Sequence, residues 1–369
     1  MKCEGSGRKK EDTAASGLCV PTPPPPRRHR HRTPARSNNN GGPPCNLTAA
    51  QQADAITRFA ALARAAMPGA LLVGPDTGGR DPEPWLRALL PLLPAGTLHA
   101  VTHHVYPGAR RGNFNTPQLL DSTLPEIAWY TDVVTSLAPT AQIWAGENGP
   151  IGGGDDGTCG TASVCGTFAS AIWYADDMAL RARHGFVQHQ RQDLFGGAYG
   201  LTSSVTGAMA LTRDEPVLLR PDFWINFLWK RTLGITVLAA ASSSAAVRAY
   251  AFGGAAPSPY AAARVDCGGT LALLLVNLDN ASSVDVALPP PEGGGGGAQY
   301  AAWSLTPAPG EGAFSAAAAL NGAPLPPAVD AAHSDPAAFL RHIVQPPVRA
   351  AVAAGATLPP LSATFLCYS

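Results

Sequence analysis

One glutamate occupies the position expected of a catalytic carboxylate. Glu147 directly follows the apolar segment 142–145, which is predicted to be a buried strand, and a glycine-rich stretch follows it. Glycine lets a backbone approach a bound ligand closely. A carboxylate placed at such a strand end can serve as a nucleophile or as an acid–base group. The alternative interpretation is a loop carboxylate that only accepts hydrogen bonds from backbone amides.

Two adjacent histidines lie near the end of another predicted strand, 98–106. Successive strand residues point to opposite faces of a sheet, so His103 and His104 cannot both line one side. We expect one of them to contact a substrate or a carboxylate. A metal site is not favoured, because no third histidine or carboxylate follows at ligand spacing. No phosphate-binding loop or nucleophile elbow is present, and no cofactor is expected.

The elements that must position these residues alternate between helix and strand. A capping-box pattern at Thr48 and Gln51 starts a helix that Pro68 ends. Further helices are predicted at about 82–91, 117–137, 162–183 and 222–232, and strands at 70–73, 98–106, 142–145 and 186–190. This alternation predicts βα units on a parallel sheet. Asp76, His103, Glu147 and Gln192 then lie at the ends of consecutive strands and should share one rim.

The segments after residue 234 are short, rich in β-formers and separated by Gly, Pro and Asn. They predict an antiparallel β-sandwich. The expected fold class is therefore α/β plus all-β. The expected units are a disordered basic, Pro-rich tail at 1–45, a βα unit at 46–234 and a β-sandwich at 235–369.

Charge and targeting features restrict the function classes. The formal net charge is zero, but residues 1–45 carry +6 and the remainder −6, so the body is not built to bind nucleic acid. The arginine-rich part of the tail leaves three interpretations open: a solvated tail, a mistranslated gene start or a nuclear-localisation segment. No apolar run is long enough for a membrane helix, and residues 1–30 lack the apolar segment of a signal peptide. Asn46 and Asn280 begin glycosylation sequons.

Seven cysteines are scattered along the chain without a C-x-x-C pair, which argues against zinc ribbons and thioredoxin-type redox chemistry. Cys267 and Cys367 flank predicted strands of the β region. We expect a disulfide between them, because closing a loop of about 100 residues restricts the unfolded chain strongly. The alternative is two buried free thiols.

A series of ordered motifs resembles one known family. The chain contains, in order, L-L-V-G-P-D, V-T-H-H-V-Y, W-A-G-E-N-G-P-I-G-G-G, T-F-A-S-A-I-W-Y-A-D-D-M-A-L, R-Q-D-L-F-G-G-A-Y-G-L, P-D-F-W-I-N-F-L-W-K-R and V-R-A-Y-A-F. The series resembles the heparanase-like proteins of glycoside hydrolase family 79, nearest the plant branch. The resemblance implies a retaining glycosidase on a (β/α)8 TIM barrel with an appended β-sandwich, acting as an endo-β-glucuronidase on glucuronate-containing glycans or proteoglycans.

The resemblance also implies roles for individual residues. Glu147 would be the nucleophile at the end of the seventh barrel strand, and His103 the site histidine on the sixth. The expected substrate-binding residues are His103, Tyr106, Gly153, Gly154, Gln192 and Tyr199, of which the two glycines would bind the uronate carboxylate and Gln192 and Tyr199 would contact the sugar and steady the nucleophile. Arg191 is expected to point away from the site. An extracellular, cell-wall or lysosomal and vacuolar location is implied, with peripheral membrane or cell-wall association.

The chain departs from the family in one respect. Its four βα units match barrel strands five to eight, and the Asn-Glu pair that carries the family's general acid/base on strand four has no counterpart before Asn46. We therefore expect an N-terminally truncated member that is inactive alone. Two alternatives stay open: a non-catalytic carbohydrate-binding or structural remnant, and a gene model that has lost its first exons.

Overall fold

The computed structural model describes residues 47–78, 82–152, 164–196, 199–204, 215–253, 271–290, 298–329 and 347–368. Helices α1–α6 are Ala49–Ala66, Pro82–Leu89, Pro117–Leu120, Leu124–Leu137, Phe168–Arg183 and Pro221–Thr232. Strands β1–β9 are Val73–Thr77, Ala100–Val105, Gln142–Asn148, Phe186–Arg191, Thr202–Ser204, Val217–Leu219, Thr236–Leu238, Val247–Gly253 and Leu271–Asn277. Strands β10–β17 are Val284–Val286, Gln299–Pro307, Ala318–Leu320, Ala323–Pro324, Ala328–Val329, Val348–Ala351, Ala356–Leu358 and Ser362–Tyr368. Within these ranges, no helix is long and apolar enough to cross a membrane.

Strands β1 to β4 form a parallel sheet in the order of the chain, as the alternation of helices and strands predicted. Two strands run further toward their carboxyl ends than expected. β1 is Val73–Thr77 instead of 70–73, and β3 continues through Glu147 to Asn148. The apolar runs used for the prediction mark burial, whereas pairing with β2 continues into the polar residues that follow. Glu147 is therefore part of the sheet.

Helix α1 begins with the predicted capping box. The Gln51 amide donates to Thr48 Oγ1 at 3.2 Å, and the Thr48 amide donates to Gln51 Oε1 at 2.9 Å. These two bonds satisfy backbone donors that the first helical turn leaves without a partner.

The chain after residue 234 is antiparallel, as predicted. β13, β12, β11, β17, β9, β8 and β7 lie side by side in that order, β15 also pairs with β11, and β10 pairs with β16. Whether these sheets form a sandwich stays a prediction. A small sheet, β14–β6–β5, was not predicted; it joins Val217–Leu219 to Ala328–Val329 across more than 100 residues. One continuous apolar core includes Trp224 of α6, Trp303 of β11 and Phe365 of β17.

The predicted disulfide falls partly outside the described residues. Cys367 is buried and disulfide-bonded, which excludes a free thiol at this position. Cys267 lies outside the described ranges, so the Cys267–Cys367 pairing stays a prediction. Cys165 is also disulfide-bonded. The sequon residue Asn280 lies on the surface, whereas Asn46 is outside the described ranges.

Helix α5 joins the two regions through a buried ion cluster. Its residues from Phe168 to Arg181 are all buried. Asp176 of α5 accepts from Arg248 Nε at 3.0 Å and from the Tyr250 hydroxyl at 2.6 Å, both on β8. Arg248 also binds Asp121 at 2.6 Å. Burial raises the pKa of Asp176, which Arg248 and Tyr250 oppose. The charge of Asp176 therefore depends on Arg248 for compensation.

We predict that Arg248→Leu lowers the free energy of unfolding by about 3–5 kcal/mol, because it leaves Asp176 buried without its cation. The matched control is Arg58→Leu. Arg58 also pairs with an aspartate, Asp54 at 3.1 Å, but both side chains are exposed, so little change is expected. Urea denaturation followed by circular dichroism measures both variants. Equal effects of the two substitutions would contradict a structural role for the buried cluster.

Candidate active site

Three charged side chains meet where β1, β2 and β3 end. His104 of β2 lies between two carboxylates: its Nε2 is 2.9 Å from Asp76 Oδ2 of β1, and its Nδ1 is 3.5 Å from Glu147 Oε1 of β3. The side chains of His104 and Glu147 are 6% and 14% exposed, so both are largely shielded while Glu147 keeps an accessible edge. The expected gathering of strand ends therefore holds for these three strands.

Tyr106 contacts the candidate nucleophile from the loop that follows β2. Its hydroxyl donates to Glu147 Oε1. Burial raises the pKa of Tyr106 well above its usual value, and Tyr199 and Glu147 raise it further. Tyr106 is therefore a permanent proton donor to this carboxylate oxygen at physiological pH.

Tyr199 acts on the site through Tyr106. The two rings stack with centroids 6.2 Å apart and planes at 23°. The Tyr199 hydroxyl donates to the Ile151 carbonyl at 2.7 Å, and burial is the main cause that raises its pKa to about 12. Direct support of Glu147, which was expected from Tyr199, comes from Tyr106.

The prediction that His103 is the site histidine was wrong. His103 is fully buried on the opposite face of the sheet, where its Nε2 contacts Glu126 of α4 and its ring lies 3.7 Å from that of Tyr130. Burial lowers the pKa of His103, although Glu126 opposes this. Alternation along the strand places His103 on the face of the core residue Val101 and His104 on the face of Thr102, and the helices cover the face of His103.

Gln192 directly follows β4, and its backbone is tied to the end of β3. The Gln192 amide donates to the Asn148 carbonyl at 2.9 Å. Arg191 pairs with Asp222 of α6 at 3.0 Å, and both side chains are buried. Arg191 therefore contacts the helix layer, as expected of a residue that points away from the site. The predicted ligands Gly153 and Gly154 lie outside the described residues, and their roles stay predictions.

Asp76 and His104 stabilise each other's charged forms. Burial raises the pKa of Asp76, but His104 more than offsets this, and the net shift is downward. Burial lowers the pKa of His104, but Asp76 and Glu147 reverse it, and the net shift is upward. Asp76 is therefore an anion at neutral pH and a poor proton donor.

The glycine before Glu147 makes room for this pair. A Cβ atom at Gly146 would lie 2.1 Å from Asp76 Oδ1 and 2.7 Å from the Cβ of Thr102. Neither distance is compatible with van der Waals contact, so a larger residue would displace Asp76 from its place beside His104. The sequence analysis assigned no role to Gly146. Among the described residues, no group of three or more His, Cys, Asp or Glu side chains is arranged to hold a metal ion.

The fold resembles that of known TIM-barrel glycosidases. A GH51 α-L-arabinofuranosidase from Thermotoga petrophila superposes with a TM-score of 0.58 at 12% identity, covering 87% of this chain and 62% of the other. The GH51 arabinofuranosidase from Xanthomonas axonopodis gives a TM-score of 0.56 at 13% identity, covering 90% and 65%. The parallel sheet and the antiparallel region are consistent with a barrel followed by a β-rich domain. No family model matches the chain.

Sequence similarity relates the chain to heparanase-like glycoside hydrolases. It is 27% identical over 230 residues to heparanase-like protein 2 of Arabidopsis thaliana, covering 59% of this chain and 36% of the relative. It is 31% identical over 186 residues to heparanase of Bos taurus, covering 48% and 31%. It is 26% identical over 201 residues to baicalin-β-D-glucuronidase of Scutellaria baicalensis, covering 52% and 33%. The chain thus spans about a third of the length of these relatives.

We predict that Gly146→Ala lowers the free energy of unfolding by about 1–3 kcal/mol, the usual cost of overpacking. The control is Gly112→Ala, because a Cβ atom at Gly112 would have no neighbour within 4 Å. Thermal unfolding compares the two variants with the unmodified chain. If Gly146→Ala were as stable as Gly112→Ala, the close approach of Asp76 to this glycine would be contradicted.

Proposed function

We propose that the protein is a retaining glycoside hydrolase acting on β-linked glucuronate in glycans, with Glu147 as its nucleophile. The observation that carries the proposal is the environment of Glu147, which lies at the end of a parallel strand with one carboxylate oxygen contacted by Tyr106 and approached by His104. The similarity to proteins named heparanase and baicalin-β-D-glucuronidase supports the substrate class. Glucuronate-containing glycans or proteoglycans are the corresponding partners.

The geometry suits a nucleophile. Covalent catalysis by a carboxylate requires one oxygen to be free to attack the anomeric carbon while the carboxylate is held in orientation. In this protein Tyr106 and His104 both contact Oε1 of Glu147. The His104 imidazole, whose pKa Asp76 and Glu147 raise against burial, lies beside the carboxylate, and the Tyr106 hydroxyl fixes the carboxylate plane. Oε2 is then the attacking oxygen.

Finer assignments belong to the same proposal. We place the protein in glycoside hydrolase family 79 near the plant branch, supported by the similarity to the Arabidopsis relatives. His104 replaces His103 in the set of site residues. A location outside the cell, in the cell wall or in a lysosome or vacuole follows from the same family, with peripheral association rather than membrane insertion. The exposed position of Asn280 supports glycosylation there.

The Asp76 carboxyl beside the Glu147 site is not suited to donate a proton. Retaining hydrolysis needs a second carboxyl about 5–5.5 Å from the nucleophile to protonate the leaving oxygen. Asp76, which His104 joins to Glu147, is held as an anion. We therefore propose that the chain corresponds to barrel strands five to eight and hydrolyses unactivated glucuronides very slowly by itself. The same observation favours a second candidate function, a non-catalytic protein that binds glucuronate glycans.

A comparison of leaving groups tests the proposal. We expect the purified chain to release 2,4-dinitrophenolate from its β-glucuronide, because this leaving group needs little protonation. Turnover of 4-nitrophenyl β-glucuronide should be lower by at least about 10²-fold, the lower end of what general acid catalysis contributes. Absorbance of the released phenolates measures both rates.

Variants assign the activity to the nucleophile. Glu147→Gln should abolish release from the dinitrophenyl substrate, whereas Glu83→Gln, which alters a helix-surface carboxylate paired with Arg87, should not change it. Binding of glucuronate oligosaccharides without any turnover would favour the non-catalytic candidate. Robust hydrolysis of the 4-nitrophenyl substrate would contradict the proposal that the chain hydrolyses unactivated glucuronides very slowly.

A further inference from the structure

Asp76 has no role in the proposed chemistry, yet several features of the backbone are needed to position its side chain. Its backbone has φ of +56°, a conformation that few residues other than glycine, Asn and Asp adopt. Gly146 leaves the space into which its carboxylate extends, with Oδ1 only 2.1 Å from where a Cβ atom would stand. Its Oδ2 lies 2.9 Å from His104 Nε2. Together these features place the Asp76 carboxylate beside Nε2 of His104.

The second nitrogen of the same imidazole faces the candidate nucleophile. The ring of His104 lies close to the backbone at Gly78, where a Cβ atom would be 3.2 Å from Nδ1. A histidine whose one nitrogen is held by a carboxylate has its ring orientation and its protonation fixed at the other nitrogen. In this protein the other nitrogen is Nδ1, 3.5 Å from Glu147 Oε1.

We infer that Asp76 is a positioning residue for the nucleophile, acting through His104. Its carboxylate holds the imidazole as a cation with Nδ1 turned toward Glu147, so that the charge beside the attacking group does not depend on the substrate. The inference rests on the proposed function, because it takes Glu147 to be the nucleophile. Asp76 contacts His104 and not the reacting atoms, so it is distinct from a catalytic acid.

The same strand provides a matched control. His103, the neighbour of His104, also pairs with a carboxylate, that of Glu126, but on the opposite face of the sheet. Asp76→Asn and Glu126→Gln each replace one histidine-paired carboxylate by its amide. Asparagine tolerates the left-handed backbone of residue 76, and Asp76→Gly removes the side chain at no backbone cost, so at least one variant should fold.

The first measurement does not require activity. Nitrogen-15 NMR of imidazole-labelled protein follows the titration of His104 in the full chain, assigned with His104→Gln. The charged groups that face His104 are Asp76 and Glu147, and both raise its pKa against burial. Asp76→Asn should therefore move the titration midpoint of His104 to lower pH, corresponding to at least about tenfold weaker proton binding. Glu126→Gln should leave that midpoint unchanged.

The second measurement is steady-state hydrolysis of 2,4-dinitrophenyl β-glucuronide across pH. Asp76→Asn and Asp76→Gly should lower kcat about 10- to 100-fold, the loss seen when a metal-ligating histidine loses the carboxylate that orients it. KM should stay within about threefold, because Asp76 does not touch the sugar. The alkaline limit of activity should move to lower pH, since the cationic His104 is present below its pKa and is lost as pH rises through it. Glu126→Gln should retain kcat within about twofold, because Glu126 lies on the opposite face of the sheet.

The outcomes separate the inference from the function on which it rests. An unmodified chain that never releases dinitrophenolate contradicts the proposed function, while the NMR titration still tests whether Asp76 holds His104. An unchanged His104 midpoint in Asp76→Asn, or equal losses of kcat in Asp76→Asn and Glu126→Gln, overturns the inference. Robust turnover of the 4-nitrophenyl substrate that Asp76→Asn alone abolishes would make Asp76 the acid and also overturn it.

Discussion

Two neighbouring histidines of β2 contact carboxylates on opposite sides of the parallel sheet, and both sides of the molecule depend on these contacts. His104 meets Asp76 and Glu147 at the accessible strand ends, whereas His103 meets Glu126 beneath the helices. The period of two along a strand makes this division unavoidable. Strand β2 therefore connects the candidate site, where His104 lies between two carboxylates, to the helix layer, where a buried charge must be paired.

The rear contact belongs to a larger buried network. Arg181 of α5 bridges Glu126 at 3.2 Å and Asp177 at 3.0 Å, and Asp177 contacts His189 of β4 at 2.7 Å. Burial raises the pKa of both carboxylates, but His103 and Arg181 lower that of Glu126, and Arg181 and His189 lower that of Asp177 to about 2. A buried charge that loses its partner costs several kcal/mol. The network therefore fixes α4 and α5 against β2 and β4, directly behind the strand ends that form the site.

The sequence predicted those features that depend on local patterns. The capping box of α1, the order of the four parallel strands and the position of Glu147 at a strand end all follow from spacing and turn residues. The features it did not predict depend on partners distant in sequence. Whether His103 or His104 faces the site depends on which face the helices cover. The sheet joining β6 to β14 and the cleared space at Gly146 likewise involve partners that no local pattern specifies.

Helix α5 connects strand β3, which carries Glu147, to the antiparallel region through two consecutive aspartates. Asp176 receives Arg248 and Tyr250 from β8, and Asp177 receives Arg181 and His189 on the side of the parallel sheet. Asn148, which directly follows Glu147, lies fully buried with its Nδ2 3.0 Å from His189 Nε2 and 3.5 Å from Asp177 Oδ2. A shift of α5 would therefore disturb both its contacts with β8 and its contact with Asn148 of β3. The β region, which supplies no residue to the described site, thereby helps to hold the strand that carries Glu147.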